Sequence, residues 1–182
     1  FECCQMLNTA ISYIGPVAVR YPRGSGPGKV VVDGGKLDCL EVGKSEILRK
    51  PQTKKDSFSI TNNKKVAILA FGSMVGIAQE LGDSLNTAVI NMRFIKPIDE
   101  KLLQEISGNY QLIVTLEDNV IAGGAGSAGN ETLLGLNSTS KILNLGLPDE
   151  FIEHGDQDQQ KTLNGLDEDG VEKSILEKLK SI

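Results

Sequence analysis

The strongest chemical signal in this sequence is Arg20-Tyr21-Pro22-Arg23-Gly24, where two guanidinium groups flank a rigid proline at the mouth of a glycine- and proline-rich loop. An arginine fork grips phosphate oxygens two at a time, so a fixed arginine over a cleft suits a phosphorylated substrate. Arg23 is the first candidate and Arg20 the second. On spacing alone, a structural arginine paired with a nearby carboxylate explains the pattern equally well.

Gly124-Ala125-Gly126-Ser127-Ala128-Gly129 spells a literal G-x-G-x-x-G ahead of a predicted helix, and Asp149 follows 20 residues after Gly129. A dinucleotide fingerprint needs its first glycine in the tight turn directly after a strand. Here Glu117–Gly123 intervene. The preferred reading is that small residues let this helix sit close to its neighbours. Glu117 and Asp118 end a predicted strand at its carboxyl edge, and they suit acid–base work or capping of the next turn. Capping is preferred, because no partner for proton transfer is visible. His154 is the single histidine, placed in a polar loop where a bystander role is the simpler reading. Cys3, Cys4 and Cys39 are odd in number and lack metal-ligand spacing, so they read as free buried thiols in a reducing compartment.

These groups need elements to hold them. Cys3, Met6, Leu7, Ala10, Ile11 and Ile14 fall at helical spacing, so the chain opens on a helix. That helix begins without a cap, and no charged-then-apolar leader precedes it. A fragment of a larger protein is expected. Val17–Tyr21 reads as a short strand running into the loop 22–28, and Val42–Leu48 as another strand. From Val66 onward the pattern is regular. Strands are predicted at Val66–Phe71, Ala88–Met92, Gln111–Leu116 and Lys141–Leu145. Helices are predicted over about Val75–Ser84, Ile98–Ile106 and from the glycine turn through Leu134. Two more follow at Gln157–Leu163 and Val171–Leu179, with Asp169 and Glu172 as a capping pair. Apolar strands without alternation, each followed by an amphipathic helix, imply an α/β fold: a mostly parallel sheet covered by helices on both faces.

Composition sets the outer limits. With 182 residues, 40% hydrophobic and 24% charged, the chain is long enough to bury a core without disulfides or a metal. No apolar run approaches the roughly 20 residues of a membrane span. The net charge of −5 is uneven, because residues 1–65 carry 11 Lys/Arg against 6 Asp/Glu while the remainder carry 8 against 18. An acidic chain repels nucleic acid, whereas its basic part could hold a small anion. Residues 49–65 are rich in lysine with a single aromatic, Phe58, so they read as a solvated insertion rather than a nucleic-acid patch.

Several strings fall in one family's order along nearly the whole chain: GPVAVRYPRG at 15–24, VAILAFGSMV at 66–75, VINMRFIKPID at 89–99 and VTLEDNVIAGGAGSAGNE at 114–131. ILNLGLPDEFIEHGDQ at 142–157 and LNGLDEDGVEKSI at 163–175 continue the series. Together they resemble the C-terminal part of the 1-deoxy-D-xylulose-5-phosphate synthase family, thiamin-diphosphate transferases of the transketolase superfamily. NMRFIKPID and NLGLPDEFIEHG are its most specific strings. The resemblance lapses at an insertion around 50–63 and at the opening residues.

The resemblance implies that the full-length enzyme condenses pyruvate with glyceraldehyde 3-phosphate, giving 1-deoxy-D-xylulose 5-phosphate and carbon dioxide. That product feeds non-mevalonate isoprenoid, thiamin and pyridoxal synthesis. It also implies a homodimer holding thiamin diphosphate and Mg2+ on upstream segments absent here, without nucleic acid or membrane. A bacterial cytoplasm is the implied location, a plastid the alternative. Residues 1–29 would end the pyrimidine-binding domain, 30–40 would link, and 41–182 would form the transketolase C-terminal domain. No catalytic, cofactor or metal residue is expected in this part, and alone it should be inactive. By the family's pattern Arg23 takes the place of the arginine on the aldehyde's phosphate, and Arg20 is read as structural. The rival readings are a 2-oxo-acid dehydrogenase β subunit and a free-standing nucleotide-binding or interaction module. RYPRG and NLGLPDEF speak against the former.

Overall fold

The computed structural model describes residues 1–22, 37–52, 61 and 65–182. Helix α1 (Glu2–Ser12) comes first, followed by strand β1 (Glu46–Arg49). Then β2 (Val66–Phe71), α2 (Val75–Ser84), β3 (Ala88–Asn91), α3 (Glu100–Ser107), β4 (Leu112–Val120), α4 (Ala125–Gly135) and β5 (Lys141–Leu147) alternate. Helices α5 (Gln157–Leu163) and α6 (Glu168–Lys180) close the chain. The sheet order is β1-β3-β2-β4-β5, with β2 to β5 parallel and only the edge strand β1 antiparallel.

The continuous apolar run of β2 is explained by burial on both sides, since all six of its residues are buried. Side chains alternate between faces along a strand. Val66, Ile68 and Ala70 therefore enter one core with Ala78 and Leu81 of α2 and with Val171, Ile175 and Leu179 of α6. Ala67, Leu69 and Phe71 enter the other with Leu102, Leu103 and Ile106 of α3 and Leu133 of α4. Each fully buried Leu or Ile contributes about 1.5–3 kcal/mol relative to exposure. The expected parallel sheet covered on both faces is what the chain forms.

Some boundaries differ from expectation. Residues 16–22 join no strand ladder, and Val17 and Tyr21 are exposed, so the short strand at Val17–Tyr21 does not form. The strand expected over Val42–Leu48 begins only at Glu46, because the chain first turns at Gly43, whose φ is +74°. β4 runs on through Glu117 to Val120, where it still pairs with Leu147 after a register shift. α3 starts at Glu100 rather than Ile98. Asp99 is its N-cap, accepting from Leu102 N at 3.2 Å and from Ser45 N at 3.0 Å. The cap of α6 is Asp167, which accepts from Gly170 N at 3.0 Å, so Asp169 lies inside the first turn instead of capping it.

Candidate functional site

The sheet reverses its winding between β2 and β4, since the chain passes from β2 to β3 on one side and returns to β4 on the other. Open α/β sheets bind ligands outside the carboxyl ends of the strands at such a point. Gly72 and Ser73 follow β2 there, and Glu117 and Asp118 lie on β4. Ser73 Oγ donates to Asp118 Oδ2 at 3.0 Å, so one of the two carboxylates is paired at the surface.

Glu117 is only 3% exposed and points into the turn that starts α4. Its carboxylate accepts from Ala125 N at 2.7 Å and from Gly126 N at 2.8 Å. The first N–H groups of a helix have no partner within the helix and carry partial positive charge, which is why phosphates settle on them. In this chain the protein's own carboxylate has taken that place, as the capping reading expected. A second anion would meet a buried negative charge. The glycines serve the same close approach. A Cβ on Gly124 would meet the Val120 carbonyl and the Glu117 carboxylate. A Cβ on Gly126 would lie 2.5 Å from Thr115 Oγ1 and 2.7 Å from Asn144 Nδ2. At Gly129 the nearest atom is 4.0 Å away, so space does not demand the third glycine. The glycine motif is a packing device.

The other groups singled out by sequence stay apart. Arg23 lies outside the described residues, as does most of the basic insertion. Arg20 is exposed on the strip that follows α1, and no described carboxylate forms an ion pair with it. His154 is exposed in the loop after β5. Cys3 and Cys39 are exposed and Cys4 half-buried, all free. The expectation of buried thiols fails because these residues sit on α1 and the strip 37–40, away from both cores. Among the described residues no three His, Cys, Asp or Glu side chains gather as metal ligands, and no helix is long and apolar enough to cross a membrane.

The structure also assembles a cluster that sequence spacing missed. Glu2 of α1 receives Asn91 Nδ2 on its two oxygens at 3.0 and 2.9 Å, and Arg93 Nε on one of them at 2.6 Å. Arg93 Nη2 reaches Glu46 of β1, and the Arg93 amide donates to Asn91 Oδ1 at 3.3 Å. Arg93 has φ +55°, a left-handed conformation uncommon outside glycine. Asn91 ends β3 and is 5% exposed, so its amide is satisfied mainly by the partner it finds on α1.

Comparison with known proteins places this architecture. The model of the transketolase C-terminal domain family matches residues 59–171, more than half of the chain. The chain belongs to the transketolase C-terminal domain family. Within that family it is similar to proteins named 1-deoxy-D-xylulose-5-phosphate synthase. One from Azoarcus sp. (strain BH72) is 45% identical over 170 residues, covering 93% of this chain and 25% of the relative. One from Thioalkalivibrio sulfidiphilus (strain HL-EbGR7) is 43% identical over 181 residues, covering 100% of this chain and 26% of the relative. Another from Nitrosomonas europaea is 44% identical over 177 residues, 97% of this chain and 26% of the relative. The chain thus spans about a quarter of the length of the curated relatives it matches. A solved structure described as a split gene transketolase, inactive beta4 tetramer, shares this fold. Its TM-score is 0.63 at 24% identity, covering 88% of this chain and 46% of that one. This transketolase C-terminal domain supplies the five-stranded sheet and the Glu117 cap, while Glu2 on α1 lies before the matched residues.

Proposed function

We propose that this chain is the C-terminal part of a 1-deoxy-D-xylulose-5-phosphate synthase, which condenses pyruvate with glyceraldehyde 3-phosphate and releases carbon dioxide. The observation that carries this reading is identity of 43–45% to synthases of that name across 93–100% of the chain. The match to the Thioalkalivibrio sulfidiphilus relative extends over 100% of the chain, the sheet domain included. The whole enzyme is read as a magnesium-dependent homodimer in a bacterial cytoplasm, its residues 41–182 forming the transketolase C-terminal domain and 1–29 ending the preceding one.

Thiamin diphosphate, when bound to the whole enzyme, supplies the carbanion stabilisation that decarboxylation of pyruvate requires. The described residues of this chain do not fit that group. The glycine-rich helix start that could take a diphosphate already holds Glu117, and among the described residues no acidic cluster offers a metal site. The chain alone is expected to be inactive.

Arg23 is assigned the phosphate of the aldehyde substrate, with Arg20 secondary. A hydrogen bond to a charged group contributes about 1.5–3 kcal/mol, and each 1.4 kcal/mol is about tenfold. Arg23→Ala in the intact enzyme should therefore raise the KM for glyceraldehyde 3-phosphate roughly ten- to a hundredfold. The KM for pyruvate should hold, because pyruvate has no phosphate. Lysine should restore only part, since a point charge cannot grip two oxygens. Equal damage to both substrates with a lower Tm would make the arginine structural and remove the phosphate role.

A further inference from the structure

Because β2, β3, β4 and β5 run parallel, their carboxyl ends lie at one end of the sheet. The connections leaving that end expose large apolar side chains. Ile95 follows β3 and is 43% exposed, Ile121 follows β4 and is 36% exposed, and Phe151 follows β5 and is fully exposed. At the opposite end, the connections entering β3, β4 and β5 (residues 85–87, 108–111 and 136–140) expose none. Phe151 belongs to neither core, and Asp149, Glu150 and Glu153 around it are exposed too. Helix α5, which follows this loop, has no buried residue. A phenylalanine has about 150–250 Å2 to bury, and apolar surface gathered on one side of a domain marks a contact with protein.

The attachment of α1 indicates what covers this end. Glu2 accepts from Asn91 Nδ2 at 3.0 and 2.9 Å, and Asn91 is the last residue of β3. The helix is therefore moored at the carboxyl end of the sheet, with Leu7 and Ile11 exposed and no residue in either core. On the reading proposed above, the greater part of the intact polypeptide precedes this chain and enters it through α1. That sequence arrives at the same end of the sheet as the exposed loops.

We propose that the loops after β4 and β5 form an interdomain surface, on which Ile121 and Phe151 seat the upstream part of the same polypeptide. The inference rests on the chain being the C-terminal part of a longer enzyme. The acidic surround of Phe151 sets the chemistry of its receptor, an apolar pocket rimmed by lysine or arginine.

The test uses the intact enzyme. In Phe151→benzoylphenylalanine, irradiation should join the loop to a peptide from before Phe1, and the product should keep the mass of one chain. A product of twice that mass would place the loop on a second copy and overturn the proposal. Attachment only within residues 1–182, or no attachment, would overturn it as well. Phe151→Gln should lower the Tm of the intact enzyme by roughly 3–6 °C, the loss expected when a buried apolar side chain is removed. Leu134→Gln is the comparison, since Leu134 is 79% exposed in the last turn of α4, which leads to the amino end of β5. Its Tm should not move. An unchanged Tm in Phe151→Gln, or equal falls in the two variants, would contradict the surface. If the intact polypeptide makes a different product, the enzyme assigned above falls, and the attachment of Phe151 still decides the surface.

Discussion

Glu117 and Gly126 are joined by a 2.8 Å hydrogen bond that sets a buried carboxylate against the N-terminus of α4. The positive end of the helix and the negative side chain satisfy each other inside the protein. That contact decides how the glycine-rich turn is used, because the place a nucleotide phosphate would need is already filled from within.

Removing this carboxylate leaves two N–H groups at the start of α4 without their acceptor. With about 1.5–3 kcal/mol for a hydrogen bond to a charged group, Glu117→Ala should destabilise the chain by roughly 3 kcal/mol. For a chain of this size that corresponds to a fall in Tm of about 6–12 °C. Glu117→Gln keeps one acceptor oxygen and should lose about half as much. Calorimetric melting of the purified chain measures both, and a fall of less than about 2 °C for the alanine variant would remove the capping role. The unmutated chain should also show no saturable binding of NAD.

The glycines provide an internal comparison. A methyl group on Gly126 would press on Thr115, Asn144 and Glu117 together, so α4 must shift outward. Overpacking of this kind costs about 1–3 kcal/mol. Gly129 sits in the same helix with 4.0 Å to its nearest neighbour, so alanine there gains helix propensity without a clash. Gly129→Ala should therefore stabilise by about 0.4–1 kcal/mol. Urea titration of the two variants should give shifts of opposite sign. Shifts of the same sign would mean that α4 does not lie on β4 as described.

Tyr110 supplies a pH signature. Burial at the amino end of β4 raises its phenol above the ordinary value of 10.0, and the negative charge of Glu105 adds to the rise. The folded chain therefore holds this proton more tightly than the unfolded chain does. The stability linked to this group is complete below 10 and is lost as pH climbs through the folded value. As pH climbs above 10 the wild type should lose more stability than Tyr110→Phe, which has nothing to ionise. Parallel loss in the two proteins would show that burial at Tyr110 does not affect its titration.

Much of this architecture is readable from pattern, and the exceptions have physical causes. Strands such as VAILAF at 66–71 are legible because burial on both faces leaves no polar position to blur the run. β1 is harder, since an edge strand with exposed Glu46 and Ile47 carries a mixed signal and Gly43 hides its start. Asp167, Glu168 and Asp169 stand in a row, and each could cap α6; the backbone chooses Asp167. The glycine motif reads as packing from a separation at 117–123 that the structure shortens to 121–123, since β4 runs to Val120, and its partner, Glu117, needed the fold. The Glu2–Arg93 pair had no signal at all, because its members lie 91 positions apart and the left-handed backbone at Arg93 leaves no mark in residue type.

Product formation by the intact polypeptide tests the functional reading most directly. Supplied with thiamin diphosphate, magnesium, labelled pyruvate and glyceraldehyde 3-phosphate, it should release labelled carbon dioxide and form 1-deoxy-D-xylulose 5-phosphate in equal amounts, with no such product when the aldehyde is omitted. Transfer of a two-carbon unit from a ketose phosphate, or acetyl transfer to a lipoyl group, with no deoxyxylulose phosphate formed, would contradict it.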